Sequence, residues 1–172
     1  YQTVNKTTPV AGDVKYVDRN GDGVVDDNDR DIIGNPNPDF TYGFQTKVSW
    51  KSLSLSASFN GVQGRDILNV GNRYNNTPGT KSNNVTRKAF QNMWTDENPS
   101  NLYPKSTFVV QNMVMDRYVE DGSYLRCSDI TLSYVLPAKW TNKIGIKNTS
   151  VYASVKNAFV ITDYSGYDPE VN

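Results

Sequence analysis

An acidic segment near the start of the 172-residue chain carries its most specific chemistry. Oxygen-bearing groups recur along this segment with the spacing of the ligands in an EF-hand loop, and they are Asp18, Asn20, Asp22, Val24, Asp26 and Asp29. Ca²⁺ binds several hard oxygens at once, the backbone carbonyl of Val24 suits the seventh position, and Gly23 permits the sharp bend at the sixth. The spacing therefore predicts a structural Ca²⁺ site.

The same residues also fit a turn that needs no ion. Asp and Asn side chains in an Asn-Gly-Asp-Gly sequence accept hydrogen bonds from nearby backbone N–H groups, which closes a turn without metal. Asp29 stands where EF-hand loops carry Glu, and its shorter side chain weakens a bidentate contact. In favour of the metal site, several carboxylates in one short loop repel one another unless a cation lies among them. Metal site and ion-free turn are therefore both open.

The composition excludes several other kinds of chemistry. The sequence has no histidine and one cysteine, Cys127, so it offers neither a Cys/His catalytic pair nor a zinc site of His and Cys. Asp96 and Glu97 are adjacent on a predicted loop, which gives no defined separation for glycoside hydrolysis. Lys plus Arg number 18, equal to Asp plus Glu, and they are scattered rather than clustered. The sequence predicts neither an enzyme nor a nucleic-acid partner.

Stretches that alternate apolar with small polar residues dominate the rest of the sequence. Leu53, Leu55, Ala57 and Phe59 alternate with Ser and Asn, and a similar alternation begins at Ile130. Because strand side chains point alternately to opposite faces, each such strand has one apolar and one polar face. The pattern fits a half-buried strand of a soluble antiparallel sheet, or a barrel strand between lipid and a polar lumen. Pattern alone leaves both open.

The predicted organisation is all-β, with antiparallel strands, long loops and one short loop helix. The intervals are a loop at 1–39, a hairpin at 40–61, a loop at 62–122, two strands at 123–161 and a loop at 162–172. Gly, Pro, Asn and Asp mark the loops, and Lys51-Ser52 is the only break within the hairpin. The helix is expected within 86–94, capped by Asn84 or Thr86.

Several stretches resemble, in wording and order, the C-terminal barrel region of the SusC/RagA family of TonB-dependent outer-membrane transporters. They are residues 12–23, 33–43, 59–64, 94–99, 121–137 and 155–170. The resemblance implies an importer of glycans or peptides in the bacterial outer membrane, surrounded by lipid and driven by TonB through an N-terminal part missing from this sequence. It also implies a SusD-like lipoprotein partner that closes the transporter from outside.

Loop lengths predict an orientation. Bacterial barrels have short periplasmic turns and long outer loops, so Lys51-Ser52 is expected in the periplasm and the loops at 1–39, 62–122 and 162–172 outside the cell. A barrel that carries a large cargo has about 22 strands. The predicted strands thus form part of a large transmembrane β-barrel wall, and the chain is expected to be a fragment without plug or closing strand. The alternative is a secreted soluble β-sandwich module that binds Ca²⁺ and carbohydrate.

Overall fold

The computed structural model describes residues 8–76, 84–106, 114–142, 145–146 and 148–170, together with the backbone of Thr3–Val4. Its strands and helices are, in chain order, β1 Thr3–Val4, β2 Val24–Val25, β3 Phe40–Trp50, β4 Leu53–Gln63, β5 Asp66–Leu68, α1 Val70–Asn76, α2 Arg87–Asn92, β6 Val119–Asp121, β7 Tyr124–Val135, α3 Ala138–Thr141 and β8 Ser150–Thr162. None of the helices in these ranges is long and apolar enough to cross a membrane.

The chain divides into two compact units. Residues 1–34 and 68–120 form one, called here the loop unit, and residues 35–67 and 121–172 form the other, called the sheet unit. The sheet unit is built on one antiparallel sheet with strand order β3-β4-β7-β8. The predicted all-β antiparallel fold is confirmed.

The hairpin of β3 and β4 has a two-residue turn. Trp50 pairs with Leu53, so Lys51 and Ser52 alone connect the strands. Lys51 has a φ of 54°, the left-handed conformation that two-residue hairpin turns require at their first position. The hairpin lies where it is predicted, with β4 continuing two residues beyond 61 to Gln63.

A β-bulge interrupts β7 at Ser128. Phe59 of β4 pairs with Cys127 whereas Ser58 pairs with Asp129, so Ser128 has no direct partner. One extra residue reverses the alternation of faces along a strand. Residues of β7 with odd numbers therefore share the apolar face before the bulge, and residues with even numbers share it after the bulge. The alternation predicted from Ile130 holds for the second half of β7.

The interval 62–122, predicted as a loop with one helix, contains more regular structure than that. The predicted helix is α2, and its N-cap is Thr86, whose hydroxyl accepts a hydrogen bond from the Ala89 N–H at 3.2 Å. The strands β5 and β6 and the helix α1 are additional. The sequence does not predict α1, because its Gly and Asn residues have low helix propensity. The parts of this interval at 77–83 and 107–113 lie outside the described residues.

The intervals at either end also differ slightly from the prediction. Residues 123–161 contain β7 and β8 as predicted, although β8 ends at Thr162 and the turn between the strands contains α3. The predicted loop at 1–39 contains β1, β2 and a single-turn 3-10 helix at Asp27–Asp29. These pieces are two to four residues long, below the length at which a sequence pattern is detectable.

Candidate functional site

One face of the sheet is predominantly apolar. Directly opposed residues share a face, and the register places there Phe40, Tyr42, Phe44, Val48, Trp50, Leu53, Leu55, Ala57, Phe59, Leu125, Ile130, Leu132, Tyr134, Val151, Ala153, Val155, Phe159 and Ile161. Val48 and Trp50 are 63% and 68% exposed. The 11 residues of β3, tilted by about 45°, span roughly 24 Å, close to the ~25 Å apolar band of an outer-membrane barrel.

Aromatic rings cover the small residues of this apolar face. Phe44 stacks on Phe59 with ring centroids 4.6 Å apart, and Phe59 and Phe159 lie 6.4 Å apart on either side of Cys127. The Cys127 thiol is free and fully buried. Because the surrounding rings withhold the sulfur from solvent, Cys127 is a packing residue.

The opposite face is mostly polar and rich in short hydroxyl side chains. The register places there Thr41, Gln45, Lys47, Ser49, Ser54, Ser56, Ser58, Asn60, Arg126, Asp129, Thr131, Ser133, Ser154 and Lys156. Hydroxyl groups both donate and accept hydrogen bonds, so they can contact polar molecules that present either donors or acceptors. An apolar face backed by a polar one is the arrangement of a wall between lipid and an aqueous lumen.

A cluster of charged side chains interrupts this polar face where β4 ends and β7 begins. The side chain of Arg126 is 9% exposed, and its guanidinium forms ion pairs with Asp168 and Glu170. The sequence analysis missed this cluster. A signal was present, because Arg126 is the one basic residue of β7 and the acidic Asp168-Pro169-Glu170 follows the next long strand.

The residues predicted as Ca²⁺ ligands form a turn closed by their own side chains. Asp18 accepts hydrogen bonds from the backbone N–H groups of Gly21 and Gly23, at 2.7 and 2.8 Å. Asp22 accepts one from the N–H of Val24 at 2.8 Å, and Val24 then begins β2. These contacts are the Asx-type hydrogen bonds of the ion-free turn.

Asp29 organises the end of the acidic turn. One of its carboxylate oxygens accepts from the Asp26 N–H and the other from the Arg19 N–H, both at 2.8 Å. These N–H groups, that of Asp26 first, lower the pKa of the Asp29 carboxyl below its ordinary value. Asp26 in turn caps the 3-10 helix by accepting from the Asn28 N–H at 2.8 Å.

The contacts of the acidic turn leave the Ca²⁺ site a prediction. The Asn20 side-chain oxygen accepts from the Asp22 N–H at 2.9 Å, so it too is engaged with backbone. Within the described ranges, no three His, Cys, Asp or Glu side chains are grouped closely enough to hold a metal ion. Each carboxylate oxygen of Asp18 accepts one backbone hydrogen bond and keeps a further lone pair for a cation, whereas one oxygen of Asp29 accepts from the N–H groups of both Arg19 and Asn20.

An ordered segment of the loop unit bears exposed side chains. The Trp94 N–H donates to the Tyr103 carbonyl at 3.0 Å, and the Lys105 ammonium lies 3.1 Å from the Asp13 carboxylate. Gly12 lies against the indole, since a Cβ added to it would be 2.5 Å from the Trp94 ring. These contacts hold residues 93–105 in place, while Leu102 stays 58% exposed.

Comparison with known proteins assigns the chain to a family. No family model matches it. TonB-dependent receptor P26 of Formosa agariphila is 34% identical over 166 residues, which are 94% of this chain and 16% of the relative. TonB-dependent receptor SusC of Bacteroides thetaiotaomicron is 34% identical over 163 residues, 91% of this chain and 15% of the relative. The chain belongs to the SusC/RagA family of TonB-dependent receptors.

Solved structures agree with this SusC/RagA assignment. The RagAB peptide importer in its closed-closed state superposes with a TM-score of 0.71 and 30% identity, covering 82% of this chain and 16% of that one. Its open-open state gives 0.68 and 32%, covering 79% and 15%. The four-stranded sheet thus corresponds to part of the barrel region of such receptors, as predicted. The chain spans about a sixth of the length of the relatives, which are receptors and importers rather than enzymes.

Proposed function

We propose that the chain forms part of the wall and outer loops of an outer-membrane TonB-dependent importer of glycans or peptides. The observation that carries the proposal is the division of the sheet into one apolar and one hydroxyl-rich face. The apolar face contacts outer-membrane lipid, and the polar face lines the lumen through which cargo passes. The likeness to a RagAB peptide importer supports the same role.

The partners follow from the same proposal. A SusD-like lipoprotein closes the importer from outside, and TonB supplies energy through a segment other than this one. The relative named SusC and the RagAB importer support this arrangement. The chain itself supplies wall and loops and carries out no catalysis.

The alternative, a soluble β-sandwich, requires a second sheet packed on the apolar face. The other sheets among the described residues have two strands each. The apolar side chains of β3 are exposed rather than covered. A lipid-facing wall accounts for this exposure, whereas a sandwich leaves it unexplained.

A spin label tests which face meets lipid. Val48 and Lys47 are neighbours in β3 on opposite faces, so Val48→Cys and Lys47→Cys in the full-length receptor form a matched pair. In reconstituted bilayers, the label at 48 should collide more with oxygen, which concentrates in lipid. The label at 47 should collide more with a water-soluble nickel chelate. Equal accessibility at both positions would contradict the lipid-facing wall.

We further propose that the acidic turn at 18–29 binds Ca²⁺ as a structural ion. The supporting observations are the ligand spacing and the convergence of Asp18 and Asp29 on one short stretch of backbone. Binding to the folded loop alone would stabilise it by mass action.

Calorimetric titration of the full-length receptor with Ca²⁺ tests the metal site. Asp18→Ala with Asp22→Ala removes two carboxylates, and the heat of binding should then disappear. Asp96→Ala with Glu97→Ala, which removes two carboxylates from another part of the loop unit, should leave it unchanged. Absence of heat from the parent at about 1 mM Ca²⁺, the weak limit of such loops, would leave only the ion-free turn.

A further inference from the structure

The segment that follows β8 folds back onto the polar face of the sheet. We call residues 163–170 the strap. Within it, the Tyr164 ring lies over Gly166, where an added Cβ would be 2.4 Å from the ring. The Glu170 N–H donates to the Asp168 carboxylate at 2.9 Å, which turns the chain, and Pro169 is fully buried. The strap is therefore a compact element of the sheet unit.

Arg126 anchors the strap to β7. Its Nη2 donates to Oδ1 of Asp168 at 2.6 Å. Its Nε lies 3.1 Å from Oε2 of Glu170, an ion-pair contact bent away from a straight hydrogen bond. A guanidinium this deeply buried is destabilising unless carboxylates compensate it, so the fold of the strap and the charge of Arg126 depend on each other.

Three further contacts fix the end of the strap. Oε1 of Glu170 accepts from the Tyr124 hydroxyl at 2.5 Å and from the Asn60 amide at 3.1 Å. The Arg65 guanidinium donates to the Pro169 carbonyl. These partners come from β4, β7 and the turn after β4, so strands distant in sequence hold one short segment. Charge-assisted hydrogen bonds of this kind are the strong ones.

We propose that the strap is a fixed inner lining of the sheet that determines which charges the lumen presents at this level. The proposal rests on the proposed function, in which the polar face lines the cargo path. Cargo then meets strap residues rather than the strand side chains beneath them. Docked, the carboxylates of Asp168 and Glu170 pair with the guanidinium of Arg126, and the Pro169 carbonyl accepts from that of Arg65. Undocked, the two guanidiniums form an anion-binding pair that would retain acidic cargo, and Arg126 acts as the positioning residue that prevents this.

Thiol labelling tests the docking without any transport measurement. Asn60→Cys in the full-length receptor, with other accessible thiols replaced by Ser, places a reporter under Glu170. A water-soluble maleimide should label it slowly. Adding Asp168→Asn and Glu170→Gln keeps the side-chain shapes but removes both carboxylates. Labelling should then become at least about tenfold faster, because losing the partners of a buried charge costs more than 1.4 kcal/mol.

Two controls keep the labelling test interpretable. Asp163→Asn removes a carboxylate from the same strap that is not one of the two ion-paired with Arg126, so this variant should label like the parent. Arg126→Lys keeps a cation but loses the two-pronged contact, and should label at an intermediate rate. If the double variant fails to fold, the Arg126→Lys variant still tests the anchoring. Equal rates in the parent and the carboxylate-free variant, whether both slow or both fast, overturn the anchoring by Arg126.

Binding of an acidic peptide tests the masking of charge. Fluorescent tri-glutamate should bind the Asp168→Asn, Glu170→Gln receptor about tenfold more tightly than the parent at low salt, and added salt should abolish the difference. Uncharged triglycine should show no difference. Equal tri-glutamate affinity in both proteins overturns the masking. Neither assay requires import. A spin-label result that contradicts the lipid-facing wall can therefore be distinguished from a labelling or binding result that contradicts the role of the strap.

Discussion

At the scale of single residues, the wall depends on small residues lying beneath large rings. Gly61 is the clearest case, because a Cβ added there would be 2.3 Å from the Tyr42 ring. Tyr42 pairs directly with Gly61 across the hairpin, so the ring fills the space that the glycine leaves. Aromatic residues often protect strand glycines in this way. The ring and the glycine are therefore one packing unit.

Gly61→Val should force the Tyr42 ring away and lower the free energy of unfolding by about 1–3 kcal/mol, the usual cost of overpacking. Ala57→Val, which adds bulk to the same face of β4, should cost clearly less. Denaturant titration of the reconstituted full-length receptor measures both changes. Adding Tyr42→Ala to Gly61→Val should restore part of the loss, whereas a fully additive effect would show that ring and glycine do not interact.

At the scale of elements, the best-predicted local feature is the start of α2. Thr86→Ala removes the side-chain oxygen that accepts from the Ala89 N–H. Loss of such a cap costs about 1 kcal/mol, which should make amide exchange in residues 87–92 about fivefold faster. Hydrogen exchange with mass spectrometry measures this rate. Thr86→Ser keeps the oxygen and should exchange at nearly the parent rate, so equal acceleration by Ser and Ala would contradict the cap.

The sequence predicts those elements whose pattern repeats over many residues. The hairpin of β3 and β4 and the second half of β7 follow from strict alternation and a single two-residue break. The first half of β7 does not, because the bulge at Ser128 reverses the alternation and nothing in the local residue types requires a bulge there. A reading that continued the pattern backward from Ile130 would place Leu125 and Cys127 on the wrong face.

Elements held by distant contacts are not predictable from the local sequence. The helix α1 has poor propensity, yet Asn69 accepts from the Asn72 N–H at 2.8 Å and stabilises its first turn. The strap depends on Arg126, 42 residues before Asp168. Of the predicted Ca²⁺ loop, the residue spacing and the turn follow from sequence, but occupation by an ion does not, because the same side chains satisfy the backbone.

At the scale of the whole molecule, the sheet unit and the loop unit have different roles in the proposed importer. The strands supply the two faces, while the loop unit presents ordered, exposed side chains such as Leu102 next to Tyr103. Interfaces favour apolar and aromatic groups on segments that are already ordered, because less conformational entropy is lost on binding. We expect residues 93–105 to contact the proposed lipoprotein partner.

Leu102→Glu in the full-length receptor should lower the amount of lipoprotein that co-purifies by at least about threefold, since burying an unpaired carboxylate in an interface is unfavourable. Ile146→Glu makes the same change at an exposed apolar residue of the turn between β7 and β8, which is expected in the periplasm. That variant should retain the partner. Equal loss in both variants, or loss in neither, would remove residues 93–105 from the interface.

The two ends of the long interval 62–122 are held together by hydrogen bonds within the sheet unit. The Arg65 carbonyl accepts from the Gly122 N–H at 2.7 Å, and Ser123 accepts from the Gly64 N–H across 59 positions of sequence. The entropy of closing a loop grows only with the logarithm of its length, and each doubling costs about 0.6 kcal/mol. Once this clasp has formed, insertions or deletions farther out change the stability of the wall very little, although they slow or speed its assembly. Such a receptor can therefore acquire a new exterior during evolution while its membrane-spanning strands keep their register.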